Sequence, residues 1–117
     1  MLEEKSRELG RLIGQSPEYQ SVKATSDALN GDRDAVAVLR RMEELRTEAQ
    51  RMLARGESPA PAMETELDEL LGKVQANITY QRAVAAQENF DKTMLRVNEW
   101  ILDGIKRGAE SRIITLG

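Results

Sequence analysis

The sequence predicts an all-α protein: an antiparallel bundle of about five helices with a long C-terminal helix, completed by oligomerisation. Three observations carry this. Apolar residues recur with helical period along nearly the whole chain. The breaks between the periodic segments are helix caps, prolines and glycines. Aromatic residues make up only 3% of a chain that is 40% hydrophobic, which leaves an aliphatic core of the kind helical bundles build.

The first helix is expected over 2–14, with Leu2, Leu9, Leu12 and Ile13 at helical spacing and Gly14 as its stop. Ser16-Pro17 then reads as an N-cap followed by proline at the first helical position, with Tyr19 opening an apolar face. This second helix should run over 17–29 and end at Asn30-Gly31, both of which tolerate left-handed backbone. Asp32 is expected to cap a third helix over 33–55, whose Val38, Met42, Leu45, Ala49 and Met52 step by four and three. Gly56 ends it, and Glu57 to Pro61 form a proline-containing loop.

A fourth helix begins near Pro61, with Met63, Leu67, Leu70 and Val74 on one stripe. Asn77 serves as its stop and as the cap of a fifth helix over 78–107. In that helix Tyr80, Ala83, Gln87, Phe90, Met94, Val97 and Ile101 form the apolar stripe. Glu88 with Lys92 and Asp103 with Arg107 are acid-before-base pairs at helical spacing. Thirty helical residues span about 45 Å, far more than a compact domain of this size, with its radius of gyration near ~13 Å, can cover. A second copy of the chain is therefore the expected cover. The predicted organisation is a helical domain over 1–107 and a flexible tail over 108–117, in which Ile113, Ile114 and Leu116 show no helical period.

Composition removes several kinds of chemistry. The 117 residues include no cysteine and no histidine, which excludes disulfides, Cys/His zinc sites and histidine acid–base catalysis. Asn30, Asp32 and Asp34 match the first, third and fifth places of a calcium loop. The sixth and twelfth places, however, hold Ala35 and Arg41 instead of glycine and glutamate. Glu64, Glu66, Asp68 and Glu69 lack the histidines of a bundle di-metal site and read as a solvated face. No cofactor or metal is expected, and the chain is read as non-enzymatic. Its N-terminus is charged from Met1 to Arg11 and no apolar stretch approaches the ~20 residues of a membrane span, so the expected location is the cytoplasm.

Two binding surfaces are predicted. The first is an oligomer or partner interface on the long helix, using Tyr80, Phe90, Met94, Val97, Trp100 and Ile101, with Trp100 read either as part of a broad apolar stripe or as the interface's anchor. The second is a basic ridge of Arg40, Arg41, Arg51 and Arg55 on the third helix. That ridge is the basis of an alternative reading, direct nucleic-acid binding. The formal net charge of −3 and the interspersed Glu43, Glu44 and Glu48 weigh against it.

The order of these features resembles the YlbF/YmcA family of small bacterial helical proteins over about residues 1–106. The resemblance rests on Ser16-Pro17-Glu18-Tyr19 with Lys23; on Asp32, Ala35, Val38-Leu39, Leu45 and Gln50; on Gly56 and the loop beyond it; and on Asn77-Ile78 followed by Tyr80, Ala83 and Phe90. It implies a helical, oligomerising regulator without enzymatic activity, acting through other proteins that include RNA-processing machinery. Some members carry C-terminal cysteines linked to an iron–sulfur cluster. This chain has none, which removes a cluster-binding role, and Ile78 stands where proline is frequent.

Overall fold

The computed structural model describes the backbone of residues 1–116 and the side chains of residues 1–110. Five helices occupy it: α1 (Leu2–Gly14), α2 (Pro17–Asn30), α3 (Arg33–Ala54), α4 (Pro61–Ala76) and α5 (Ile78–Leu116). No strand occurs among the described residues.

The caps explain most of the boundaries. Ser16 Oγ accepts from the Tyr19 amide at 3.2 Å, and Pro17 opens α2 with its fixed φ. Asp32 Oδ1 accepts from the Ala35 amide at 3.0 Å to start α3. At the other end of α3, Gly56 takes a φ of +77°. Its amide donates to Leu53 O, and the Glu57 amide reaches back to Met52 O at 2.8 Å, closing a Schellman motif. Gly31 behaves differently from the sequence expectation. Its φ of −85° is right-handed, and α2 ends simply because Asp32 turns the chain into the next cap.

The predicted antiparallel helical bundle is present in an extended form, as two hairpin-like pairs, α2 with α5 and α3 with α4. α2 packs along the N-terminal half of α5, where Tyr19 meets Phe90 edge-on with ring centroids 5.3 Å apart. α3 packs on α4. The two pairs meet where the α2–α3 and α4–α5 turns touch, beside Ala35 and Val74, the two most deeply buried side chains. Leu45, Ala86 and Val97 complete the buried set among the described residues. The face of α5 against α2 thus passes through Ala86, whereas the expected Gln87 is exposed and donates to Asp91 on its own helix.

The predicted end of the fifth helix at 107 is corrected. Helical backbone continues through Gly108 to Leu116. A glycine inside a helix costs only about 1 kcal/mol, and no proline follows to force a stop. Gly117 lies outside the described residues. At 39 residues α5 is about 58 Å long. The molecule measures 69 × 37 × 20 Å, with a radius of gyration of 21.7 Å against the ~13 Å of a compact chain of this length.

Candidate interaction surfaces

The junction of the two hairpins is held by two linked helix caps. Asn77 Oδ1 accepts from the Tyr80 amide at 2.9 Å, capping α5, while its Nδ2 donates to Asp32 Oδ2 at 3.2 Å. One side chain therefore caps a helix and grips the cap of another. The Asp32 carboxyl is held below its ordinary value, first by the Ala35 amide and then by the Asn77 amide group. Its partner set is a structural cap, and the failed calcium-loop match now has a positive explanation.

A second polar tie joins α3 to α4. Arg41 Nε donates to Glu66 Oε1 at 2.6 Å and Nη2 to Oε2 at 3.0 Å, a bidentate pair, while Nη1 reaches Glu44 at 3.2 Å. Hydrogen bonding to Arg41 lowers the Glu66 carboxyl, and the same carboxylate raises the Arg41 guanidinium. This changes the predicted basic ridge. Arg41 is engaged with Glu66 of α4, and together with Arg40, Arg51 and Arg55 it lines a shallow surface that also holds Glu43, Glu44, Thr47 and Glu48. Acids and bases alternate along it, as on an ordinary solvated helix face.

The residues predicted as an interface on α5 divide into two groups. Phe90, Met94 and Val97 are turned toward the chain's own α2: Phe90 meets Tyr19 edge-on, Met94 is half-buried, and Val97 is 6% exposed. Tyr80 is half-buried near the junction. These four serve intrachain packing in this structure. Trp100 and Ile101 are 67% and 43% exposed and lie where α2 has already ended. Glu18, at the start of α2, sits level with Asn89, Lys92, Thr93 and Arg96. Beyond that level every described residue from Asn98 to Glu110 is exposed.

That uncovered segment is not polar. Leu102 is 58% and Ile105 61% exposed, and Leu95, still within the α2-covered stretch, is 64% exposed. Leu102 lies five residues after Val97, about 140° around the helix at ~100° per residue, so it belongs to a different face. α5 therefore carries two apolar faces, one used by α2 and one unused. Sequence periodicity followed the first and passed over the second, because Leu95, Leu102 and Ile105 fall off the step-by-three-and-four series that starts at Tyr80. α1 adds more uncovered apolar surface through Leu2 and Leu12, and no residue of α1 is buried. On the other hairpin, Leu53, Leu67 and Leu71 are exposed, and Leu67 lines a 230 Å³ largely apolar cleft with Leu45, Arg46, Ala49, Pro59, Met63 and Glu64.

No group of histidine, cysteine, aspartate or glutamate suited to a metal occurs among the described residues. None of the helices, over the same residues, is long and apolar enough to cross a membrane.

Comparison with known proteins places this architecture. The family model described as control of competence regulator ComK, YlbF/YmcA, matches residues 2–106. A chain of the crystal structure of Bacillus subtilis RicA in complex with RicF superposes with a TM-score of 0.77 at 14% identity, covering 92% of this chain and 96% of that one. A protein of unknown function (DUF964) from Bacillus stearothermophilus superposes with a TM-score of 0.64 at 17% identity, covering 90% and 92%. No curated protein sequence matches the chain.

Proposed function

The chain belongs to the YlbF/YmcA family, and from that premise we propose that it is a non-enzymatic regulatory adaptor that self-associates and docks other proteins on its helices. The observation that carries this reading is the uncovered apolar surface: the second face of α5, the outer side of α1 and the cleft between α3 and α4. Apolar area of this kind, rimmed by charge, is what helix-mediated protein contacts use. The groups with displaced titration support the same reading, since Asp32, Arg41 and Glu66 are each accounted for by a cap or an interhelix ion pair.

The RicA structure, which superposes on this chain, was crystallised in complex with RicF. Extended to this chain, that supports partners that are themselves helical proteins. RNA-processing machinery is the client class that the family resemblance adds. The test is affinity capture with the full-length chain from its own cells, followed by competition with variants carrying Leu53→Asp, Leu67→Asp or Leu102→Asp. Specific partners that are lost with one of these substitutions support the adaptor reading. Recovery of nothing above background would remove it.

A further inference from the structure

The α3–α4 pair has two unlike sides. On one, Arg41 is tied to Glu66, with Glu44 beside it. On the other, Leu45, Ala49 and Leu53 follow one another along α3 at steps of four residues, and Met63, Leu67 and Leu71 do the same along α4. The Arg41–Glu66 pair and the hollow shared by Val38 and Val74 set an antiparallel register. In that register the two rows are facing walls, running from Leu53 and Pro59 at the loop to Leu71 opposite the half-buried Leu39 and Met42. The 230 Å³ cleft is the middle of this trough, with the buried Leu45 as its floor. From Met42 to Leu53 the trough is about 16 Å long, three helical turns.

The two lips of the trough differ in charge. Arg46 and Glu64 both line the cleft, one from each helix, and form no ion pair with each other. Arg46 instead donates to Glu43 on its own helix at 3.3 Å, which neutralises the α3 lip. On the α4 lip Glu64 and Asp68 lie one turn apart and are both exposed. Neither takes part in an ion pair among the described residues. The exposed Glu57 adds a further acid at the loop end.

We propose that this trough receives one amphipathic helix of a different protein, with aliphatic side chains seated between α3 and α4 and lysine or arginine side chains along the flank that meets Glu64 and Asp68. The inference rests on the adaptor reading above and names the partner chemistry of one of its sites. Both long walls are helices whose backbone groups are used internally, so an extended peptide finds no strand edge to pair with and recognition falls to side chains. Charge decides against a second copy of the chain. Of its own uncovered amphipathic segments, α1 sets Glu3, Glu4 and Glu8 against Lys5, Arg7 and Arg11, with Glu3–Arg7 and Lys5–Glu8 already paired. The exposed stretch of α5 past α2 sets Glu99, Asp103 and Glu110 against Lys106 and Arg107. Neither offers a basic flank, so the acidic lip selects another protein.

The probes are three synthetic helical peptides of equal length: leucines at i, i+4 and i+7 flanked by lysine, the same leucines flanked by glutamate, and a scramble of the lysine peptide with no apolar face. Binding to the full chain is read by fluorescence anisotropy at low and at high salt. The lysine peptide should bind about tenfold more tightly than the other two, with the margin shrinking as salt screens it. In the double variant Glu64→Lys, Asp68→Lys two attractions become two repulsions. Its affinity for the lysine peptide should fall about tenfold and its preference should turn to the glutamate peptide. Both residues are exposed, so helical circular dichroism should not change. Ala49→Phe fills the cleft and should weaken the lysine peptide while leaving self-association, followed by sedimentation, as it is. Equal binding of the lysine and glutamate peptides, or an affinity indifferent to the double variant, would overturn the proposal. Self-association that falls in Ala49→Phe would make a second copy the occupant and overturn it as well. Client capture that survives both the double variant and Ala49→Phe overturns the trough alone; a wild type that captures no client overturns the adaptor reading with it.

Discussion

Removing the Asn77 side chain tests the junction on which the two hairpins depend. Asn77→Ala deletes the acceptor for the Tyr80 amide and the donor to Asp32. Loss of an N-cap costs about 1 kcal/mol. With unfolding entropy near 2.1 cal/mol/K per residue over 117 residues, that corresponds to roughly 4 °C in Tm. Asn77→Asp separates the two roles. Aspartate is as good a cap as asparagine, so α5 keeps its start, but it offers no donor to Asp32 and sets a second carboxylate beside it. A carboxyl raised by a like neighbour destabilises above its folded pKa and is relieved as pH falls through it. Asn77→Asp should therefore be destabilised at pH 7 and recover toward wild type as the pH drops into the carboxylate range, whereas the Asn77→Ala deficit lacks this added repulsion and should show no such recovery. Thermal unfolding followed by circular dichroism, at matched protein concentration, reads both. An Asn77→Asp protein as stable as wild type at pH 7 and low salt would refute the bridge between the caps.

Three further outcomes are expected. Leu45→Ala, at a buried position of α3, should cost about 3 kcal/mol and lower Tm by roughly 12 °C in the same assay; a shift of a degree or two would place that side chain outside any packed core. Gly72 lies within α4 with nothing inside 4 Å of an added Cβ, so Gly72→Ala should stabilise by about 1 kcal/mol and raise Tm by roughly 4 °C. The Glu66 carboxyl is held below its ordinary 4.5 by Arg41, so the stability it contributes is present above that value and is lost as pH falls through its depressed pKa. The gap in Tm between wild type and Glu66→Gln should accordingly be largest near neutral pH and low salt, and should close on acidification.

Local chemistry made four of the five helices legible. Ser16-Pro17, Asp32, Gly56, Pro61 and Asn77 each act on the backbone within a few residues, so their effect can be read without knowing what packs where. The pairings were not legible in the same way. Asp32 and Asn77 are 45 positions apart, and each reads as a cap on its own; that they grip each other follows only from the fold. Arg41 and Glu66, 25 positions apart, looked like parts of a basic ridge and an acidic face. Glu88 and Lys92, matched by spacing, form no ion pair, whereas Asp103 and Arg107 do at 3.0 Å. For the long helix, the periodic series from Tyr80 located the face that α2 covers. It assigned that face to another protein because length alone does not say which half of a helix its own chain uses. Trp100 drew attention by its size, while Leu95, Leu102 and Ile105 were hidden by lying out of phase with the series.

The open arrangement of the hairpins ties stability to association. A layer of two helices has two broad sides, and the side chains of a hairpin can meet each other only along the line between the axes. α2 on α5 buries Ala86 and Val97, and α3 on α4 buries Leu45, with Ala35 and Val74 closing the junction. That is a small core for a chain that is 40% hydrophobic. A compact fold would have laid one hairpin across the other, but the Asp32–Asn77 grip joins them at one end and leaves the molecule 69 Å long. Much of the remaining apolar surface then sits toward the far ends, on α1, the distal half of α5 and the tip of α3 and α4, with Leu71, Ile78 and Val84 exposed nearer the junction. A partner bound at either end supplies the third layer that the hairpin lacks. Binding of this kind adds to stability by mass action, so Tm should climb with protein concentration for as long as self-association is the cover. Under the proposed adaptor reading, two separate ends would let one molecule bind a second copy at one and a different protein at the other.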